Sequence, residues 1–196
     1  MNAAGNDFGV EAAVRLRAAC EAHDPSEAAH LARVGSYSVL IGRLVGFDPA
    51  GLSEVEHAAP LHDLGKIGLP LRLFHKGGAL TPAERKAVER HTTIGFHILE
   101  ASRSPLLQRA ARIALAHHES WDGSGYPNAW KADQIPLDAR IVAVADVFDA
   151  LLSRRSYKEA WDMDRVLAEM RRLRESKFDP EIADVFLANI PGLAAV

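Results

Sequence analysis

Residues 117–127 read His117-His118-Glu119-Ser120-Trp121-Asp122-Gly123-Ser124-Gly125-Tyr126-Pro127, and the rest of the chain is organised around them. The preceding segment, Ala110 to Ala116, is the apolar end of a predicted helix, so both histidines lie at its last turn. Neighbouring helix positions point about 100° apart, so adjacent imidazoles converge when something lies in the crevice between them. A metal ion is the usual occupant. On this stretch alone, two solvent-exposed histidines at a helix end are an equally weighted alternative.

Apolar residues recur at helical spacing along most of the 196 residues. Ser26 has the chemistry of an N-cap for a helix that runs to about Val45, and Asp138 that of a cap for a strongly apolar helix. Thr81-Pro82-Ala83-Glu84 has the pattern of a capping box, and the helix that follows it is predicted to run to about Ala101. No segment alternates at period two with β-branched residues. The predicted fold is therefore all-α, a single helical bundle of roughly seven to eight helices.

Composition and charge narrow the function classes. The formal net charge of −3 argues against a broad surface for binding DNA or RNA polymers. Cys20 is the only cysteine, so no disulfide framework exists, and the expected location is the cytoplasm. The N-terminus lacks the apolar core of a signal peptide. No apolar run approaches the ~20 residues needed to span a bilayer, so no membrane association is expected.

Several polar residues fall on or beside apolar helix faces, where an unpaired imidazole or carboxylate is costly. They are His30, His62, Asp63, His91 and Asp146, to which the 117–127 stretch adds His117 and His118. A single polar residue on an apolar face is usually a hydrogen-bonded core group. Hydrogen bonding alone is a poor explanation for seven such residues in one chain. Seven ligands are more than one tetrahedral ion binds, and they are enough for two metal ions that share a bridging ligand. Nitrogen and oxygen ligands without thiolate suit Fe, Mn, Zn, Ni or Co.

Three motifs make a family resemblance specific. They are His62-Asp-Leu-Gly-Lys-Ile-Gly-Leu-Pro70, the 117–127 stretch, and Val144-Ala-Asp-Val-Phe-Asp-Ala150. Together they resemble the HD-GYP domains of the HD phosphohydrolase superfamily, which are bacterial phosphodiesterases acting on cyclic di-GMP. The match runs from about Asp24 to Pro180. It implies an HD-type domain over residues 24–196, with a dinuclear metal centre between its helices and an N-terminal helix, residues 1–23, that is part of the domain or packed on it.

The resemblance also implies roles for individual residues. One metal would be held by His30, His62, Asp63 and Asp146, and a second by His91, His117 and His118, with Asp63 bridging both. Asp63 and Lys66 would be catalytic, Lys66 by reaching the phosphate or the metal-activated hydroxide. Lys66, Tyr126, Arg155 and Lys158 would contact the substrate. Asp122 and Asp149 would shape the loop or support the ligands, although simple turn and cap chemistry explains them nearly as well.

The implied function is metal-dependent hydrolysis of cyclic di-GMP to pGpG, with further cleavage to GMP in many members. The implied cofactors are two divalent ions, with iron favoured and manganese next. The partner is a cyclic dinucleotide, and a homodimer or a regulatory protein is a further expectation. Two alternatives are a receptor that binds cyclic di-GMP without cutting it, and an HD hydrolase of another cyclic dinucleotide.

One departure from the family pattern concerns the number of metals. Members with three metals place a ligating glutamate one helical turn before the residue that matches His30, and Ser26 stands at that position here. A serine is short and neutral, and as an N-cap its oxygen is already occupied. The sequence therefore predicts two metals and not three. Trp121 lies close in sequence to the predicted ligands. Anchoring its loop is the favoured role for it, over stacking on a guanine.

Overall fold

The computed structural model describes residues 3–153 and 160–190. This part of the chain contains nine α-helices and no strand, apart from an isolated bridge between Arg174 and Phe178, so the all-α prediction is confirmed. The helices are α1 (Ala3–His23), α2 (Ala28–Leu44), α3 (Pro49–Ala58), α4 (Pro82–Glu89), α5 (His91–Leu99), α6 (Pro105–Ala116), α7 (Leu137–Leu152), α8 (Met163–Arg172) and α9 (Pro180–Asn189). Short 3₁₀ helices cover Pro25–Glu27, Ala59–Leu61, Leu64–Gly68, Leu71–Leu73 and Ala132–Gln134.

The starts of the helices test the predicted caps. Thr81 and Glu84 exchange the two hydrogen bonds of a capping box at the start of α4, as predicted. The prediction for Asp138 is wrong, because α7 begins at Leu137 and no side chain caps it. The Asp138 carboxylate instead accepts hydrogen bonds from Arg109 and Arg112 on α6, at 3.0 and 3.4 Å, and so ties α7 to its neighbour.

The helix predicted to run from Pro82 to about Ala101 is two helices, with a break at Arg90. The amide of Arg90 donates to the Ala87 carbonyl at 3.3 Å, which tightens the last turn of α4. Three side chains then donate back to carbonyl oxygens three residues earlier: His91 to Val88, Thr92 to Glu89 and Thr93 to Arg90. Such local bonds compete with the regular helical ladder. The break makes His91 the first residue of α5.

Helix α7 is the centre of the bundle. Ile141, Val142, Val144 and Ala145 on it have no solvent exposure, and the helix packs against α2 and α6. Helix α1 packs against α6 and against the 3₁₀ helix Leu64–Gly68. No helix in the described ranges is both long enough and apolar enough to cross a lipid bilayer.

Gly65 lies where the chain after Asp63 meets α5. A Cβ atom on Gly65 would overlap the carbonyl oxygen of His91 and crowd the amide of Gly95. Only a residue without a side chain allows this approach. The contact therefore fixes the distance between two segments that each carry a predicted metal ligand.

We predict that Gly65→Ala destabilises the fold, because neither backbone segment can move away without disturbing the core. Overpacking costs about 1–3 kcal/mol, which corresponds to a fall in Tm of roughly 2–12 °C for a chain of this size. Thermal unfolding followed by circular dichroism measures the change. Gly77→Ala is the matched control, because a Cβ on Gly77 meets nothing within 4 Å. Equal melting temperatures for the two variants would contradict the prediction.

Candidate metal centre

All seven predicted metal ligands meet at one point between the helices. They come from α2 (His30), from the segment between two 3₁₀ helices (His62 and Asp63), from the start of α5 (His91), from the end of α6 (His117 and His118) and from the middle of α7 (Asp146). Their nitrogen and oxygen atoms form two sets, each with its atoms within 4.8 Å of one another. The first set is His30, His62 and Asp146, and the second is Asp63, His91, His117 and His118.

Asp63 lies between the two sets. Its Oδ1 is 3.2 Å from Nε2 of His91 and 3.7 Å from Nε2 of His117, both in the second set. Its Oδ2 is 3.3 Å from Nε2 of His62, in the first set. Each oxygen of one carboxylate therefore faces a different set, which is the arrangement that a bridging ligand requires.

Four imidazoles share one orientation, in which the ring Nδ1 bonds to an oxygen behind the ring. The pairs are His62 with the Ala59 carbonyl (2.9 Å), His91 with Val88 (2.7 Å), His117 with Ala114 (3.1 Å) and His30 with the Asp149 carboxylate (2.7 Å). These oxygens only accept hydrogen bonds, so Nδ1 must donate. In the neutral ring Nε2 then keeps its lone pair, and it points toward the centre. Histidines that bind metals are held in this way.

Buried atoms without a hydrogen-bond partner test whether a metal fits. Among the described residues, Nε2 of His30, Nε2 of His62 and Oδ1 of Asp63 are such atoms. Each would cost about 1–3 kcal/mol if nothing satisfied it. All three face the centre, and a divalent cation would satisfy all three at once. The donor set therefore fits metal ions.

The electrostatics hold the two carboxyl groups of the centre in their ionised form. Burial opposes charge on Asp63, but Lys66 and His62 outweigh it and hold the pKa of this carboxyl well below its usual range. Burial also opposes charge on Asp146, and His30 and His62 again lower its pKa. Both side chains are therefore carboxylates at neutral pH.

The histidines of the two sets differ. Burial is the main cause that lowers the pKa of His117 to about 4, and burial also lowers the pKa of His118 well below its usual range. Both rings are therefore neutral at physiological pH. Burial opposes the charged form of His30, but the carboxylates of Asp146 and Asp149 outweigh it and raise its pKa to about 9.

The prediction for Ser26 is wrong. Ser26 lies inside the 3₁₀ helix Pro25–Glu27, and α2 starts after Glu27 without a side-chain cap. The cap of the 3₁₀ helix is Asp24, which accepts from the Ser26 amide at 3.1 Å and from its hydroxyl at 2.6 Å. Glu27 faces the site instead, and its carboxylate forms a third group of possible ligands with His30 and Asp63. Residues three and four positions before His30 share a helix face, so spacing alone did not separate Glu27 from Ser26. Ser26 therefore gives no reason to limit the centre to two ions.

Lys66 lies at the edge of the two sets. Its Nζ is 2.7 Å from Oδ2 of Asp63 and 2.9 Å from Oε2 of Glu27, and it lies 5.3 Å from the centre of the Phe74 ring. Burial opposes its charge, but the two carboxylates outweigh burial and raise the pKa of Lys66. Lys66 is thus a fixed cation beside the centre.

Asp149 supports the first set from behind. Besides the bond to His30, its carboxylate accepts from Nε of Arg33 at 2.5 Å. Arg33 also donates to the Ser153 hydroxyl at 2.9 Å. Asp149 thus orients His30, a candidate ligand, which is the supporting role that the resemblance implied for it.

The loop after α6 folds back over the second set. Tyr126 donates its amide to the His118 carbonyl at 3.3 Å, and its ring packs on the His118 ring with 4.8 Å between centroids. Glu119 is 1% exposed, and its carboxylate accepts from the amides of Asn128 at 2.8 Å and Trp130 at 3.1 Å. The sequence prediction missed Glu119, because a lone acid after a helix end is usually solvated.

Other predicted residues differ in their surroundings. Asp122 is exposed and accepts from the Ser124 amide at 2.8 Å, so it has a turn role. The Trp121 ring lies 5.5 Å from the Arg140 guanidinium, and its amide bonds to the chain before α9, which fits a loop anchor. Arg155 and Lys158 lie outside the described residues.

Comparisons with known proteins agree with this geometry. A family model described as "HD domain" matches residues 16–182. The chain is 45% identical over 181 residues to a cyclic di-GMP phosphodiesterase of Thermotoga maritima, covering 92% of this chain and 49% of that relative. It is 38% identical over 177 residues to the 3'3'-cGAMP-specific phosphodiesterase 2 of Vibrio cholerae, covering 90% of this chain and 34% of that relative. The chain thus spans about half of one relative and a third of the other.

The fold is also similar to a solved structure, that of a cyclic GMP-AMP-specific phosphodiesterase of Vibrio cholerae. The TM-score is 0.69 at 19% identity, with 93% of this chain and 48% of that chain covered. At this identity the likeness concerns the fold alone. The sequence-based resemblance and the HD-type fold are both confirmed.

We predict that metal affinity rises with pH up to about 9, because metal must displace the proton that His30 carries below its raised pKa. Each pH unit below that pKa leaves about tenfold less neutral imidazole. His62, whose pKa is also raised, adds to the slope. Titration of the metal-free protein with Mn²⁺ between pH 6.5 and 9.5 measures the effect. Affinity that stays flat from pH 7 to 9 would contradict it.

Proposed function

Because this chain belongs to the HD domain family, we propose that it is a metal-dependent phosphodiesterase that hydrolyses cyclic di-GMP to pGpG. Further cleavage of pGpG to GMP is part of the same proposal. The observation that carries it is the pair of ligand sets that share Asp63, with buried, unpartnered donor atoms facing the centre. The relative at 45% identity is named for this activity.

Two divalent ions are the proposed cofactors. His30, His62, Asp63 and Asp146 would hold one, and Asp63, His91, His117 and His118 the other, with Glu27 offering a further carboxylate at the edge. When bound, such ions supply Lewis acidity for hydrolysis of a phosphodiester. Imidazole and carboxylate ligands without thiolate suit iron first and manganese second.

The chain itself supplies charge and orientation. Lys66 is a partly buried cation held beside Asp63, so it can donate to a non-bridging phosphate oxygen and offset charge that develops in the transition state. Tyr126 is held against His118 by both its ring and its amide, so it forms a fixed wall next to the second set. Asp149 orients His30.

Arg155 and Lys158 complete the proposal as contacts to the phosphates or bases of the substrate. Ser153, which precedes them, is bonded to Arg33, and Arg33 in turn is bonded to Asp149. The segment that carries both cations therefore starts from a point that is tied to the first ligand set. We further propose a cytoplasmic protein that acts as a homodimer or with a regulatory partner, which sedimentation analysis can test.

A second candidate substrate is 3'3'-cGAMP, because a relative at 38% identity is named for it. Purified, metal-loaded protein is incubated with cyclic di-GMP, 3'3'-cGAMP and cyclic di-AMP, and the products are separated by chromatography. The products distinguish the two candidate substrates from each other and from a receptor that does not cleave. Preferential formation of pGpG supports the proposal. Binding of cyclic di-GMP without any product would identify a receptor, and preferential cleavage of 3'3'-cGAMP the second candidate.

We predict that Asp63→Ala abolishes turnover and lowers metal content in both sets, since it removes the one ligand that both share. Elemental analysis after gel filtration measures the metals, and product formation measures turnover. Asp122→Ala is a control, because this acid is exposed and its carboxylate accepts a hydrogen bond from the Ser124 amide of a turn. A folded Asp63→Ala protein with wild-type turnover would disprove the two-metal proposal.

We predict that Arg155→Ala and Lys158→Ala raise the KM for cyclic di-GMP while metal content stays unchanged. A contact made equally to substrate and transition state changes KM and leaves kcat. Loss of metal in either variant would mean that the residue supports the centre and not the substrate.

A further inference from the structure

Lys177 lies in the connector between α8 and α9, far in sequence from the metal ligands. Its Nζ donates to two carbonyl oxygens, that of His118 at 3.2 Å and that of Glu119 at 3.1 Å. Both oxygens belong to the turn that follows α6, where the chain leaves the helix. Carbonyl groups at a helix end lack helical partners, and a lysine is a suitable donor to them.

The contact is reciprocal. The amide of Trp121 donates to the Lys177 carbonyl at 3.2 Å, and the amide of Asp122 donates to the Ser176 carbonyl at 3.0 Å. Four hydrogen bonds therefore join residues 118–122 to residues 176–177, two in each direction. A shift of the ligand turn would break all of them together.

The backbone of the connector is itself held in place by a hydrogen bond and by core packing. The Lys177 amide donates to the Leu173 carbonyl at 2.9 Å, and the next residue, Phe178, is buried in the core. The lysine side chain thus extends from a fixed backbone. Burial is the main reason that the pKa of Lys177 is lowered, while the charges of Asp146, Glu119 and Asp122 favour its ammonium form.

The carbonyl of His118 receives a second donor, the amide of Tyr126. Gly125 allows this return, because a Cβ there would overlap the backbone of Glu119 and Ser120. One oxygen thus joins the lysine, a metal-ligand residue and the tyrosine that packs on its ring. Holding that oxygen restrains the backbone from which both rings extend.

Building on the metal centre proposed above, we propose that Lys177 is a positioning residue for the second ligand set. It holds the His117–His118 turn and Tyr126 in the geometry that metal and substrate require, and it touches neither. A lysine in a helix connector carries no motif, so its role is visible only in three dimensions.

The test compares wild type with three variants. Lys177→Met keeps an unbranched side chain that is one atom shorter and removes the donor, whereas Lys177→Arg keeps a donor. Arg174→Met is the matched control, because Arg174 lies in the same connector and pairs with Asp184 on α9. Three properties are measured: Mn²⁺ affinity and stoichiometry, amide hydrogen exchange of residues 117–131, and kcat and KM for cyclic di-GMP.

For Lys177→Met we expect the Mn²⁺ affinity of one ion per chain to fall by about tenfold or more, as is typical when a supporting contact of a metal ligand is lost. Exchange in residues 117–131 should accelerate at least severalfold, and kcat should fall more than KM rises. Lys177→Arg should recover part of each loss, and Arg174→Met should match wild type. Equal metal binding and exchange in Lys177→Met and Arg174→Met would overturn the proposal.

Failure of the proposed function gives a different result. A wild-type protein that cleaves no cyclic dinucleotide would disprove the phosphodiesterase assignment. Metal affinity and amide hydrogen exchange would still decide the role of Lys177. If wild type binds no metal, the exchange of residues 117–131 alone decides it. Unchanged exchange in Lys177→Met overturns the positioning role in that case too.

Discussion

The structure depends on keeping one carboxylate ionised inside a helical bundle. Asp63 is placed where two groups of imidazoles meet, and each of its oxygens faces a different group. Burial opposes its charge, so nearby cations have to compensate, and Lys66 does so at 2.7 Å. Metal ions would compensate more strongly, because they also satisfy the atoms that are otherwise unpartnered. Helices α2, α5, α6 and α7 each bring at least one candidate ligand to the surroundings of this group.

The main chain has a large share in preparing the ligands. Carbonyl oxygens of Ala59, Val88 and Ala114 fix the tautomers of three histidines. Each of these carbonyls lies three residues before its histidine, at or near a helix end. Helix ends have carbonyl groups that helical bonds do not use. Three helices of this fold therefore contribute to the centre, since a carbonyl at or near the end of each accepts a hydrogen bond from an imidazole.

The sequence was a good guide to the candidate ligands and a poor guide to what supports them. Histidines and aspartates among apolar residues are conspicuous, and all seven converge. The break at Arg90 was missed because the side chains of His91, Thr92 and Thr93 cause it, and an apolar repeat does not record such bonds. Glu27 was missed because Ser26 and Glu27 both lie about one turn before His30. Glu119 and Lys177 were missed because charged residues at helix ends are normally solvated, whereas tertiary contacts bury Glu119 and partly bury Lys177.

The bond between His30 and Asp149 joins residues that are 119 positions apart. Ribosomes add about 5–20 residues per second, so roughly 6–24 seconds separate the synthesis of the two side chains. During that interval the nascent chain already exposes His30, His62 and Asp63, but neither α7 nor the acids that it carries exists. The complete set of candidate ligands, with the acid that orients His30, therefore exists only after translation has passed α7.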